Sequence, residues 1–177
     1  MGASRKMHVY TGDGKGKTTA AMGLALRCLG HGRRVLIAQF LKDGRSGELV
    51  ALAHLPGAMA WKGAPVTKFT FRMSPGERAQ TAAEQTDQAR QLTTEIERSR
   101  PDMVVLDELG EAVHLGLVED AAARRLIDAA MAVAETVVTG RDVPEWMLAR
   151  ADYVSRIAAE RHPYQTEGLP ARQGVEW

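Results

Sequence analysis

Short apolar runs recur along the chain and alternate with helix-forming segments. Six runs predict strands, at residues 7–10, 35–40, 66–71, 103–106, 136–139 and 153–157. Continuous apolar runs of four to six residues are typical of central parallel strands that helices cover on both faces. The run at 66–71 alternates instead and is the weakest of the six.

Three segments between these runs favour helices, at residues 19–29, 75–98 and 119–135. Ser74 can cap the second helix, Pro75 suits its first turn, and Pro101 follows its end. The alternation predicts an α/β fold with a doubly wound, mostly parallel sheet and a ligand at the carboxyl ends of its strands. Residues 44–63 are the least regular and are expected to form loops over that site. No repeat or linker divides the sequence, so a single domain over 1–177 is predicted.

Composition narrows the classes of partner. The 23 basic and 22 acidic residues give a net charge of +1, so no overall field favours nucleic acid or an acidic membrane surface. The single cysteine, Cys28, excludes an intrachain disulfide, fits a reducing compartment and is expected to be a small core residue. No apolar stretch approaches the roughly 20 residues of a membrane span, and the first six residues are too few and polar for a secretory signal. We expect a soluble, cytoplasmic protein with neither nucleic acid nor membrane as partner.

A glycine-rich turn, Thr-Gly-Asp-Gly-Lys-Gly-Lys-Thr at 11–18, joins the first strand to the first helix. In this context backbone N–H groups and the helix N-terminus bind phosphate, a lysine spans the outer oxygens, and the next threonine ligates Mg²⁺. The usual pattern has glycine where Thr11 stands, one place earlier than Gly12. A surface loop rich in glycine and lysine is the alternative. The turn predicts a nucleoside triphosphate site in a three-layer, P-loop NTPase-like (RecA-like) sandwich, with candidate ligands Gly12, Asp13, Gly14, Lys15, Gly16, Lys17, Thr18 and Thr19.

Two carboxylates, Asp107 and Glu108, end the strand predicted at 103–106. Beside a phosphate loop such an acid approaches the Mg²⁺ (or Mn²⁺) ion, although acids after a strand also suit a helix N-terminus for dipole reasons alone. Spacing does not decide which acid touches the ion. If Glu108 activates water, the protein is an ATP hydrolase or a small-molecule kinase. Arg141 follows another strand end and is either a site cation or an ordinary surface arginine.

The motifs in this order resemble the P-loop corrinoid adenosyltransferases (cob(I)yrinic acid a,c-diamide and cob(I)alamin adenosyltransferases). The resemblance covers about residues 7–177. It is carried by the loop with Arg27 and Gly30-His31-Gly32, by 35–40 with Lys42, by 104–109, by Thr139-Gly140-Arg141, by Arg161-His162-Pro163-Tyr164 and by Ala171-Arg172-Gln173-Gly174-Val175-Glu176.

The resemblance implies transfer of the 5′-deoxyadenosyl group of ATP to Co(I) of a reduced corrinoid, with release of triphosphate. ATP then lies in the loop in reversed sense. Lys17 neutralises phosphate charge, and Thr18 with Asp107 or Glu108 holds the metal. Arg27 and Arg141 are further nucleotide candidates. The resemblance also implies a flavoprotein or flavodoxin reductant and a homodimer.

An aromatic pair, Phe69 and Phe71, matches the family's Phe-Thr-Trp segment, with Phe in place of Trp. In the family these aromatics exclude the lower axial ligand of Co(II), which eases reduction to Co(I). Both are therefore candidate catalytic residues beside Lys17 and Glu108. Alternating aromatics that pack a strand face are the other interpretation.

Departures from the family concern the corrinoid side. Many members have an N-terminal extension over the corrin, whereas this chain starts about six residues before the first strand. Arg156 stands where the family often has an acid, and Arg161 precedes the closing His162, which we expect to be structural. A carrier or switch that binds ATP and corrinoid with slow turnover is the non-enzymatic alternative.

Overall fold

The computed structural model describes residues 5–175. Residues 1–4 and 176–177 lie outside this range, and with them the limits of the predicted domain and Glu176 of the closing segment. A single all-parallel sheet of six strands, in the order β3-β2-β4-β5-β1-β6, organises the described chain. The strands are β1 Met7–Thr11, β2 Val35–Gln39, β3 Ala58–Ala60, β4 Met103–Asp107, β5 Glu135–Thr139 and β6 Tyr153–Arg156.

Helices connect the strands. They are α1 Lys17–Gly30, α2 Gly47–Leu52, α3 Pro75–Ser99, α4 Leu109–His114, α5 Asp120–Val133, α6 Glu145–Arg150 and α7 Pro163–Glu167. A short 3-10 turn, Thr70–Arg72, precedes α3. Over residues 5–175, none of the helices combines the length and the apolar character that crossing a bilayer requires.

The sheet is the middle of three layers. In β4, Val104 and Leu106 belong to a core shared with α3 and α5. Met103 and Val105 belong to a second core shared with α1. Side chains alternate between the two faces of a strand, so an apolar run throughout serves both cores. The predicted α/β, doubly wound sheet is confirmed.

Helix α3 carries few apolar residues because part of its buried face is polar. Gln85 accepts a hydrogen bond from the Leu41 N–H (3.0 Å) and donates to the Ala64 carbonyl (3.1 Å). Gln88 donates to the Gln39 carbonyl (3.0 Å). Because both amides are buried and hydrogen-bonded, they tie the end of β2 to α3, and these bonds offset the cost of desolvating them.

The weakest predicted strand is wrong. Residues 66–71 are irregular until the 3-10 turn at Thr70–Arg72, and the edge position beside β2 belongs to β3 instead. Ala58 pairs with Val35 at the open edge of β2 after a connection that contains α2, although alanine has a low strand preference. The expectation of loops alone over 44–63 is wrong as well, because that segment contains α2 and β3.

The register brings four polar residues to the carboxyl ends of neighbouring strands: Thr11, Gln39, Asp107 and Thr139. Gln39 at the end of β2 lies opposite Asp107 at the end of β4. Tyr10 of β1 lies opposite Thr139 of β5, so Thr11 follows at the same edge. The parallel strands therefore place these residues together at their carboxyl ends, where α/β sheets bind ligands.

Candidate nucleotide site

The loop between β1 and α1 explains the displaced glycine. Thr11 is still part of β1, and its hydroxyl donates to the Arg141 carbonyl (2.9 Å). The turn begins at Gly12, whose φ of 106° disfavours any residue with a Cβ. The Gly12 N–H donates to the same Arg141 carbonyl (3.1 Å), which fixes the loop to the end of β5.

The segment after β6 supports the loop from behind. The Gly14 N–H donates to the Ile157 carbonyl (2.8 Å), and the Ala159 N–H donates to Asp13 Oδ1 (3.2 Å). A Cβ on Gly14 would lie 2.6 Å from the Ala158 carbonyl oxygen, closer than atoms can approach. Gly12 and Gly14 are thus required by packing against this segment, and their amides are already paired within the protein.

Lys17, the first residue of α1, reaches back across the loop. Its ammonium donates to the carbonyls of Gly12 (2.6 Å) and Gly14 (2.9 Å). Burial lowers the pKa of Lys17, while the nearby Glu108 carboxylate acts in the opposite direction. The positive charge therefore sits inside the loop, beside the first-turn amides of α1 that have no partner within the helix.

Asp107 is the hub of the site. It is fully buried, and its Oδ1 accepts from the hydroxyls of Thr18 (2.9 Å) and Thr139 (2.7 Å). Its Oδ2 accepts from Gln39 Nε2 (3.0 Å) and pairs with the Lys42 ammonium (2.8 Å). Four donors, from α1, β2, β5 and the loop after β2, make this buried carboxylate tolerable.

Glu108 follows in a left-handed conformation, with φ at 61°, at the N-terminus of α4. Its backbone N–H donates to Thr139 Oγ1 (2.9 Å). Burial, reinforced by the charge of Asp107, raises the pKa of Glu108 to about 7. The two adjacent acids thus differ in role: Asp107 is held by hydrogen bonds, whereas Glu108 titrates near neutrality.

Sequence reasoning did not single out Gln39, Lys42 and Thr139 as site residues. Lys42 and Thr139 entered only as parts of the family resemblance. The available signal was positional, because all three lie at or just beyond the carboxyl end of a predicted parallel strand. Polar residues at that edge converge whatever their sequence separation.

The oxygen atoms at this site are suitable ligands for Mg²⁺, which prefers oxygen ligands and retains water or phosphate oxygens. The Thr18 hydroxyl and the Asp107 and Glu108 carboxylates supply such oxygens. Across residues 5–175 no group of three or more His, Cys, Asp or Glu side chains is arranged to hold a metal. Because Mg²⁺ accepts phosphate and water oxygens, it would take its remaining ligands here from a nucleotide or from solvent.

The other predicted residues lie in three places. Arg141 touches the loop through its backbone carbonyl and its charge acts on Lys17. Arg27 lies in the last turn of α1, ten residues or about 15 Å of helix from Lys17, so the structure does not bring it to the loop. Phe69 and Phe71 stack at 5.5 Å between ring centroids beside Arg72, with 67% and 77% exposed, so the interpretation that they pack a strand face is wrong.

A phosphate-binding loop, a lysine within it and a strand-end carboxylate on its threonine define an α/β nucleotide-binding protein of the P-loop class. The family model for "ATP:corrinoid adenosyltransferase BtuR/CobO/CobP" matches residues 4–177. The chain belongs to this family of transferases, as the sequence resemblance predicted.

Relatives agree with the family model. A corrinoid adenosyltransferase of Pseudomonas aeruginosa is 34% identical over 96% of this chain and 82% of its own length. Corrinoid adenosyltransferase CobA of Salmonella typhimurium is 34% identical, and the corrinoid adenosyltransferase of Escherichia coli K12 is 31% identical, each over 96% of this chain and 84% of the relative. A solved DNA replication initiation factor aligns with a TM-score of 0.45 and 10% identity, over 97% of this chain and 48% of that one.

Proposed function

We propose that this protein transfers the 5′-deoxyadenosyl group of ATP to the Co(I) of a reduced corrinoid and releases triphosphate. The observation that carries the proposal, together with family membership, is the Thr18–Asp107 hydrogen bond beside the Lys17 ammonium. This arrangement suits a triphosphate that must be oriented and neutralised while a bond outside it breaks.

The residues supply electrostatics, and the corrinoid supplies the nucleophile. The Co(I) electron pair forms the new bond to C5′ while the C5′–O bond breaks. The electron pair of the broken C5′–O bond leaves on the triphosphate. Lys17 and the first-turn amides of α1, at Lys17, Thr18 and Thr19, neutralise the growing charge on the leaving group. Because no proton is transferred, neither acid needs to act as a base in this reaction.

Thr18, Asp107 and Glu108 are the residues that would hold Mg²⁺ or Mn²⁺, which when bound neutralises triphosphate charge. Asp107 is the acid in direct contact with Thr18. Glu108 has the adjacent carboxylate, with fewer hydrogen bonds on it. We therefore assign Asp107 to orient the threonine and Glu108 to complete the oxygen set. Gly12, Asp13, Gly14, Lys15 and Gly16 shape the loop.

The corrinoid is assigned to the side of the site that carries the aromatic pair Phe69 and Phe71. The Val66 N–H donates to the Lys42 carbonyl (2.9 Å), so the segment leading to Phe69 starts beside the Asp107 cluster. Phe69, three residues further, lies within about 11 Å of Val66. Two stacked, exposed rings at that distance offer the apolar bulk that would displace the lower axial ligand of Co(II).

One assay tests the reaction. The protein is mixed with ATP, Mg²⁺ and a chemically reduced corrinoid without oxygen, and the phosphate product is identified. Intact triphosphate together with a new cobalt–carbon chromophore supports the proposal. Binding of both ligands without any product would instead indicate a carrier.

ATP hydrolysis is the second candidate, because Glu108 with a pKa of about 7 is matched to a general base at neutral pH. The same assay separates it: ADP and orthophosphate, formed without corrinoid, would indicate hydrolysis. Loss of that activity in Glu108→Gln would assign the base.

We further propose a cytoplasmic homodimer that accepts electrons from a flavoprotein or flavodoxin. The half-buried free thiol of Cys28 is consistent with a reducing compartment. Strand β6 is an exposed edge strand that carries Tyr153 and Val154, which is a suitable surface for a second copy. Light scattering at assay concentrations tests the dimer.

A further inference from the structure

A second lysine, Lys42, lies in the nucleotide site. Its ammonium is 2.8 Å from Asp107 Oδ2 and 3.4 Å from the Thr18 hydroxyl. The Lys42 side chain is 26% exposed, whereas Asp107 is fully buried. One protein cation therefore contacts both residues that connect the phosphate loop to β4.

The backbone is built to aim Lys42 at this position. Leu41, just before it, has a φ of 55°, in the left-handed region that branched side chains seldom adopt. Hydrogen bonds on both sides hold this turn: the Leu41 N–H donates to Gln85 (3.0 Å), and the Lys42 carbonyl accepts from Val66 (2.9 Å). Strain that the surroundings over-determine is a mark of a functional position.

Lys42 does not duplicate Lys17. The Lys17 ammonium donates to two loop carbonyls, whereas the Lys42 ammonium pairs with a carboxylate and lies beside a hydroxyl. Carboxylate and hydroxyl oxygens are also the ligands that a divalent cation would use here. The two lysines therefore neutralise different parts of the site.

We propose that Lys42 is a built-in cation of the nucleotide site that competes with the divalent ion for Thr18 and Asp107. The inference rests on the proposed metal site at these residues. Two like charges at one pair of oxygens repel each other, so the ammonium reduces the affinity that a divalent ion adds. In the absence of metal, the same ammonium remains beside Thr18 and supports binding of the triphosphate.

The test measures the dissociation constant of ATP by calorimetry, once with Mg²⁺ and once with EDTA. The ratio of the two constants gives the coupling between metal and nucleotide. In Lys42→Met we expect ATP affinity in EDTA to fall about tenfold, the effect of one charge-assisted hydrogen bond. Affinity with Mg²⁺ should fall much less. The ratio of the dissociation constant in EDTA to that with Mg²⁺ should therefore rise, by up to about tenfold. Lys42→Arg keeps the charge and should stay near the wild-type ratio.

Each of the following outcomes overturns the inference. Equal losses with and without Mg²⁺ would make Lys42 a phosphate ligand only, and unchanged constants would give it no role. A ratio in Thr18→Ala equal to that of the wild type would remove the metal site itself, and the inference with it. If Thr18→Ala abolishes the Mg²⁺ effect while Lys42→Met keeps the wild-type ratio, only the Lys42 inference fails. Lys42→Gln, with thermal unfolding of each variant, separates lost charge from lost packing.

Discussion

The hydroxyl of Thr18 donates to Oδ1 of Asp107 at 2.9 Å, although 89 residues separate them in the chain. The same oxygen accepts from Thr139 on the neighbouring strand (2.7 Å). The loop threonine is therefore oriented by a carboxylate that is itself held by Thr139 of β5, Gln39 of β2 and Lys42 in the loop after β2. Asp107 Oδ1 therefore connects the phosphate loop, β4 and β5 through hydrogen bonds.

Thr139→Val should weaken that unit. The Thr139 hydroxyl donates to Asp107 and accepts from the Glu108 N–H, so a methyl in its place leaves two buried polar groups short of a partner. We expect a loss of about 2–3 kcal/mol in the free energy of unfolding in urea. Thr136→Val, on the same strand, removes only a local bond to the Ala134 carbonyl and should cost about 1 kcal/mol. Equal costs would contradict the special position of Thr139.

Lys17→Ala should abolish measurable ATP binding, because the ammonium that bonds to the Gly12 and Gly14 carbonyls inside the loop is lost. We expect at least a hundredfold rise in the dissociation constant, equivalent to about 3 kcal/mol. Calorimetry measures it, with Arg125→Ala, an exposed change on α5, as the control. Retained affinity would count against the loop as the phosphate site.

Gly14→Ala should distort the loop, because its Cβ would lie 2.6 Å from the Ala158 carbonyl oxygen. We expect ATP binding to weaken by at least about tenfold and the unfolding free energy to fall by roughly 1–3 kcal/mol. The matched control is Gly23→Ala within α1, where nothing lies within 4 Å of the new Cβ. That change should stabilise the protein by about 0.5–1 kcal/mol. A harmless Gly14→Ala would show that the segment after β6 does not set the loop.

Phe71→Ala should slow the reaction that starts from Co(II) far more than the reaction that starts from prereduced Co(I). The reason is that the exposed ring would act on reduction, by excluding an axial ligand, and not on the transfer itself. Phe71→Trp restores the residue that the family has there and should match or exceed the wild-type rate from Co(II). Stopped-flow spectra of the corrinoid follow both starting states. Equal slowing in Phe71→Ala would remove this role.

The raised pKa of Glu108 predicts a pH-dependent stability without metal or nucleotide. The folded protein binds the Glu108 proton up to about pH 7, whereas the unfolded chain releases it near the ordinary glutamate value. Stability is therefore lost as pH rises between these two values. Because Glu108 is partly exposed, we expect the loss to be roughly 2 kcal/mol. In Glu108→Gln the free energy of unfolding should change less with pH over that window. Urea titrations from pH 5 to 8 measure the difference.

The sequence by itself determined the class of the protein. Apolar runs that serve both cores identified β1, β2, β4 and β5, because strands covered on both faces carry their signal locally. The exposed edge strand β6 was identified from its own short run at 153–157. The phosphate loop was also readable, because glycine, lysine and threonine at fixed spacing act through their own backbone. The family followed from the order of these motifs.

Only the tertiary structure decided which strand fills the edge and which side chains meet. Ala58–Ala60 pairs with β2 through backbone hydrogen bonds that carry no side-chain signal, so the alternating run at 66–71 was the better sequence candidate and the wrong one. Lys42, in the loop after β2, and Thr139 of β5 both reach Asp107. The backbone of Ile157 and Ala158 explains why Gly12 and Gly14 are glycines. Contacts between residues so far apart in the chain depend on the order and register of the strands. Order and register are fixed only when the strands form their hydrogen bonds and both cores are buried.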